Sequence, residues 1–189
     1  MGVFDNIEMV NGQVVVNQWM EWVHWGIPNE MGVQREFVRY TMLIIGHCLI
    51  CTQLDGCYFV ERKMPKRPQH EKCDCFTLKK GSEEVKGVIS ANCDIKKFTE
   101  YIFGGHGGKR ELFESWGFSV EDSSMLKYEF EKQAKRQYSI GNYELKNLDR
   151  FGQRIAIPIS LNGQDFYSGW LVCPNGYIKN TTPFGGWIK

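Results

Sequence analysis

Residues 154–182 constrain the fold more than any other part of the chain. Three stretches, 154–161, 165–173 and 177–182, alternate apolar and polar side chains with a period of two. They are joined across Asn162-Gly163 and Pro174-Asn175-Gly176. Asn-Gly suits a tight hairpin because both residues tolerate positive φ, and Pro-Asn-Gly closes a slightly longer turn. Three short strands linked this way predict an antiparallel meander with one apolar face.

That face needs a cover, and helices precede it. Residues 120–136 read as the longest helix, with Met125, Leu126, Tyr128 and Phe130 among its apolar positions. A short helix over 109–116 ends at Gly117, and another over 94–103 begins at Asp94 and stops at Gly104-Gly105. Residues 85–89 read as a short strand. Helices followed by a meander define an α+β class.

The first 84 residues read differently. Residues 2–16 are strand-like around a turn at Asn11-Gly12. Trp19, Met20, Trp22, Val23 and Trp25 crowd an apolar helix that Gly26-Ile27-Pro28 ends. Residues 33–45 read as a second helix, with Phe37, Val38, Met42 and Ile45 spaced for one face. A loop-rich cysteine and histidine segment follows, and the polar run 79–84 makes a boundary. The expectation is therefore two domains: a small helical one over 1–84 and an α+β one over 85–189.

Cys48, Cys51, Cys57, Cys73 and Cys75 fall within 28 residues, together with His70. A C-x-x-C pair lets two thiolates meet one ion across a tight turn, and zinc takes four N or S ligands in a tetrahedron. Cys48, Cys51 and Cys73 with either Cys75 or His70 supply such a set, and Cys57 is the spare. A closed set of this kind is structural, a staple for a domain with a modest core. Cys93 and Cys173 stand alone and read as small core residues.

Composition narrows the function classes. At 42% hydrophobic and 14% aromatic residues, the chain has enough apolar surface to fold. No apolar run approaches the roughly 20 residues of a membrane span, so no membrane partner is expected. The N-terminus has no basic region and apolar core of a secretory leader, and seven cysteines then point to a reducing compartment, the cytoplasm of a bacterial host cell. Net charge is only +1, but residues 61–80 hold seven Lys/Arg against three carboxylates. That stretch includes Lys66 and Arg67 and forms a candidate phosphate-binding face.

Two resemblances add to this reading. Cys48, Cys51, Leu54, Asp55, Gly56, Phe59, Pro65, Pro68, His70, Cys73 and Cys75 form a pattern that resembles the C-terminal signature of phage Mu-type minor head proteins. It implies phage or mobile-element ancestry. Further on come Val88-Ile89-Ser90-Ala91, Gly104-Gly105-His106-Gly107-Gly108-Lys109, Trp116-Gly117-Phe118, Asp149 to Arg154, Gly169-Trp170-Leu171-Val172 and Thr181-Thr182-Pro183-Phe184. This order is similar to a domain at the C-termini of bacterial polymorphic toxins, which resembles the small α+β ribonucleases of the barnase, EndoU, colicin and RelE-like group. The resemblance implies RNA cleavage without a metal.

Such cleavage uses the 2′-hydroxyl as nucleophile and needs a base, an acid and cations around the phosphorane. His106 is the module's one histidine and is cast as acid or base. Lys109 beside it is cast as phosphate stabiliser, with Arg154 and Thr182 from the meander as further phosphate ligands. Arg110, Lys66 and Arg67 are expected to bind RNA, and Tyr143 to stack on a base. The expected function is a phage or mobile-element effector that binds and cleaves tRNA or a CRISPR guide RNA, its partners being that RNA, a host defence ribonucleoprotein or an immunity protein. The alternatives are a non-catalytic inhibitor of such a complex, in the manner of anti-CRISPR proteins, and a minor head protein.

Overall fold

The computed structural model describes residues 7–10, 13–16, 37–41, 49–66, 76–79 and 88–188, with side chains described for 51–66 and 88–188 except His106. The chain is α+β. Its organising element is a five-stranded sheet in the order β6-β10-β9-β8-β7. These strands are β6 (Ser90–Asn92), β7 (Glu144–Asp149), β8 (Gly152–Leu161), β9 (Gln164–Val172) and β10 (Tyr177–Trp187). The four from β7 to β10 form the antiparallel meander, and β6 adds a parallel edge to β10.

The hairpin signals act as expected. Leu161 pairs with Gln164 across Asn162 (φ 47°) and Gly163 (φ 77°), a two-residue turn whose backbone twist matches the strands. On β8, Ile155, Ile157, Ile159 and Leu161 turn inward; on β9, Phe166, Ser168, Trp170 and Val172 do the same. The inner face is covered by helix α3 (Ser123–Ser139), whose buried residues Leu126, Phe130, Ala134 and Tyr138 recur every fourth position to make one stripe. A turn over Val120–Asp122 leads into α3, and the Ser119 amide donates to Asp122 Oδ2 at 2.8 Å. Gly141 (φ 71°) follows the helix in the left-handed conformation that suits a C-terminal cap.

Two short elements connect β6 to α3. One is a π-helical turn, Lys97–Ile102, which buries Phe98 edge-on against Phe130 at 5.1 Å. The other is α2 (Lys109–Ser115), preceded by a 3₁₀ turn at His106–Gly108.

Residues 1–84 depart from the helical expectation. Their described elements are β1 (Ile7–Val10), β2 (Gln13–Val16), β3 (Phe37–Thr41), α1 (Leu49–Leu54), β4 (Tyr58–Val60) and β5 (Phe76–Lys79). β1 and β2 form an antiparallel pair, as the strand-like reading of 2–16 anticipates. The helix expected over 33–45 is overturned: Phe37–Thr41 is the central strand between β4 and β5. Phe37, Val38, Tyr40 and Thr41 are aromatic or β-branched, and pairing on both edges outweighs the helical spacing. The helix expected around Trp19–Trp25 lies outside the described residues.

A boundary at 84/85 also does not separate two cores among the described residues. Cys51, Leu54, Cys57, Phe59 and Val60 belong to the same buried cluster as Phe98, Phe130, Tyr138 and Trp170. Polar contacts sew the segment down. The Tyr138 hydroxyl donates to the Tyr58 carbonyl, and the Asn175 amide donates to the Gly56 carbonyl at 2.9 Å.

The buried ionisable groups of this core predict alkaline lability. Burial, reinforced by Glu131, raises the Cys93 thiol from 9.0 to about 12. Burial likewise pushes the phenols of Tyr138 and Tyr143 above their ordinary 10.0. The folded state thus keeps protons that the unfolded chain releases above about pH 9. Stability is complete below that pH and falls as pH rises toward the folded values. Urea midpoints should decline steadily from pH 9 to 11; a flat profile contradicts this assignment.

Candidate nucleic-acid interface

The sheet has a second, solvent-facing side, and strand register fixes which residues share it. One row runs Glu144, Ala156, Gly169, Thr182 across β7, β8, β9 and β10. The row to one side holds Arg154, Leu171 and Lys179, and the row to the other holds Pro158, Tyr167 and Gly186. Gly169 and Ala156 make a low floor. A bulge between Asn180 and Thr182 folds Thr181 over Gly169, where a Cβ would stand 3.2 Å from Thr181 Oγ1 and 3.4 Å from Thr182 Cβ.

Three polar side chains converge beside this floor. The Tyr167 hydroxyl donates to Glu144 Oε1 at 2.8 Å, and the Lys146 ammonium donates to Oε2 at 2.7 Å. Lys146 also lies 5.9 Å from the Tyr167 ring centroid. The Lys146 hydrogen bond, then that from Tyr167, holds the Glu144 carboxyl below its ordinary 4.5, so it is ionised at neutral pH. The same bond raises the Tyr167 phenol. Glu144 and Lys146 are about half exposed, so the pair is a fixture of geometry more than of stability.

Arg154 carries a guanidinium on the same face of the sheet. Its Nε donates to Asp149 Oδ2 at 3.1 Å, while the Phe151 amide donates to Asp149 Oδ1 at 2.8 Å. The Phe151 amide first, and Arg154 second, lower the Asp149 carboxyl. Asp149 thus holds the guanidinium by its inner nitrogen. Among the described residues its two terminal nitrogens make no hydrogen bond, the edge that a phosphate takes bidentately.

The residues expected from sequence fall into three groups. Thr182 and Arg154 share the exposed face, two strands and two residues apart, which is about 12 Å between Cα atoms. Lys109 stands at the edge of the sheet. Its ammonium is 4.9 Å from the Tyr101 ring centroid; Lys97, 5.7 Å from the same centroid, donates to the Thr181 carbonyl at 2.9 Å. The His106 backbone lies in the turn before α2, and its imidazole is outside the described residues, as is Arg67. Lys66 is exposed on the segment after β4.

One expectation is corrected. Tyr143 is 2% exposed, 5.0 Å from the Tyr138 ring, so it fills the core and has no face to offer a base. Arg110 is exposed on α2 with its Nε 2.8 Å from Glu114 Oε1. It borders a cleft of about 310 Å³ with Phe103, Glu114, Ser119, Val120 and Glu121.

Of the expected metal ligands only Cys51 is among the residues with described side chains. It is fully buried in the cluster that holds Leu54, Cys57 and Phe59. Cys48, His70, Cys73 and Cys75 lie outside the described residues, so the fit of a zinc ion rests on the chemistry of the donor set alone.

Sequence reading missed Glu144, Lys146 and Tyr167. The available signal was the i, i+2 pair Glu144 and Lys146 and the outward place of Tyr167 between Phe166 and Ser168. No helix among the described residues is long and apolar enough to cross a membrane. Comparison with protein-family models, curated proteins and solved structures found no match.

Proposed function

We propose that this protein binds single-stranded RNA on the exposed face of its sheet and cleaves it without a metal ion, as an effector of a phage or mobile element. One observation carries the reading. An ionised carboxylate, a phenol and an ammonium meet within hydrogen-bond distance on a solvent-facing sheet that also carries a guanidinium whose terminal nitrogens make no hydrogen bond among the described residues.

In this reading Glu144 takes the proton of the 2′-hydroxyl as its oxygen attacks phosphorus. The bond from phosphorus to the 5′-oxygen breaks, and the Tyr167 hydroxyl, beside Glu144, gives its proton to that leaving oxygen. The products are a 2′,3′-cyclic phosphate and a 5′-hydroxyl. Arg154 and Lys146 offset the charge of the phosphorane, and Thr182 donates a hydroxyl to a phosphate oxygen.

A second reading, a non-catalytic inhibitor covering a host nucleic-acid defence complex, is favoured by one detail. Both oxygens of Glu144 already accept hydrogen bonds, and a base must give one up. A panel separates the two. Purified protein is incubated in EDTA with tRNA, with total RNA, and with a CRISPR guide RNA with and without its effector. Cleavage that drops at least 100-fold in Tyr167→Phe supports the first reading. Tight binding with every RNA intact supports the second.

A further inference from the structure

We infer that Lys97 and Lys109, gathered on the ring of Tyr101 at the open edge of β10, form a second phosphate subsite that holds the RNA strand where it leaves the sheet face. The inference rests on the reading of the exposed face as an RNA surface. It assigns a role to Lys97 and Tyr101, which take no part in the chemistry proposed above.

Charge comes first. Two ammonium groups approach one phenol ring, at 5.7 and 4.9 Å from its centroid. Among the described residues neither lies within salt-bridge distance of a carboxylate. The nearby Glu100 is engaged by Lys96 at 3.6 Å and Glu114 by Arg110 at 2.8 Å, whereas Lys97 and Lys109 make no such pair. Elsewhere in the molecule a lysine over a tyrosine is neutralised: Lys132, 5.7 Å from the Tyr128 centroid, sits 3.2 Å from Glu129. Two ammonium groups at one ring, neither paired with a carboxylate among the described residues, favour an anion beside them.

Position comes second. Lys97 donates to the Thr181 carbonyl, so its stem is fixed at the residue next to Thr182 on the exposed face. Lys109 bends back over the turn that precedes α2, close enough that a Cβ on Gly107 would be 3.4 Å from its Nζ. Gly105 (φ 86°) and Gly108 (φ 71°) flank that turn, and a Cβ at either would meet no atom of the described residues within 4 Å. Open space beside two cations and a bare backbone admits a bulky oxyanion. A phosphate there would belong to the same strand as the one at Thr182, because the Lys97 contact makes edge and face continuous.

Salt dependence of binding counts phosphate contacts, with a slope of about −0.7 per neutralised phosphate for single strands. The probe is a 12-nucleotide single-stranded RNA of mixed sequence, 2′-O-methylated to block cleavage, titrated between 50 and 300 mM KCl by fluorescence anisotropy. The Lys97→Gln/Lys109→Gln variant should flatten the slope of log K against log[salt] by about 0.7, the share of one phosphate. Lys109→Gln alone, which touches no backbone hydrogen bond and so leaves folding intact, should flatten it by a smaller amount in the same direction. Lys132→Gln should leave it unchanged. RNA binding by the unmodified protein with the same slope in both Lys109 variants overturns the subsite and leaves the RNA face standing. An equal effect from Lys132→Gln shows diffuse attraction and also overturns it. No RNA binding by the unmodified protein overturns the RNA face and the subsite together.

Discussion

Glu144→Gln should slow RNA cleavage by about 10²- to 10⁴-fold, the usual contribution of a general base, while RNA affinity stays level or rises. The substitution keeps the shape and one oxygen that the Tyr167 hydroxyl can reach. It removes the negative charge that Lys146 now offsets, and with it the lone pair basic enough to accept the 2′-hydroxyl proton. Loss of a carboxylate beside incoming phosphates does not weaken binding, so the effect falls on the chemical step. Single-turnover rates and anisotropy on the same oligonucleotide separate the two quantities. A rate within threefold of the unmodified protein removes Glu144 from the chemistry and moves the base elsewhere.

Phe130→Ala should cost about 3–5 kcal/mol of stability. The ring is fully buried at the middle of α3, 5.1 Å from Phe98 of the π-helical turn and 6.0 Å from Phe166 of β9. It is therefore the contact at which helix, connecting turn and sheet meet. Because residues 51–60 share this core, their unfolding should belong to the same transition. Fluorescence and far-ultraviolet circular dichroism should give coincident urea curves before and after the substitution, with the midpoint shifted. Two separated transitions contradict the single core; an unshifted midpoint contradicts the packing role of Phe130.

The parts legible in the sequence are those set by local chemistry. Asn162-Gly163 declares its hairpin because few other pairs accept two positive φ angles in succession. The stripe Leu126, Phe130, Ala134, Tyr138 is periodic enough to declare α3. What escaped depends on partners distant in sequence. Glu144-Leu145-Lys146-Asn147 is exposed at every position, so the edge strand β7 shows no alternation of burial to read. Phe37 to Thr41 satisfies a helical spacing and a strand composition equally, and only β4 and β5 decide. Cys51 draws attention as a metal ligand and Cys57 as its spare neighbour, and both side chains lie in the apolar cluster.

The candidate site divides in the same way. Arg154 and Thr182 were visible as polar residues on predicted strands, and the structure places both on the exposed face. The approach of Tyr167 to Glu144 depends on register, since β8 must pair with both neighbours before the two side chains meet. Lys97 was hidden for another reason. Its significance comes from the Thr181 carbonyl 84 residues away, at a bulge that no hairpin rule forecasts.

The account stands on RNA cleavage by the 2′-hydroxyl at the exposed sheet face, and the ends of the product test it most directly. Purified tRNA is incubated with the protein in EDTA and the fragments are analysed by mass spectrometry. The account predicts 2′,3′-cyclic phosphate and 5′-hydroxyl termini, lost in Glu144→Gln. Intact tRNA, fragments ending in 5′-phosphate, or cleavage that requires added metal would contradict it.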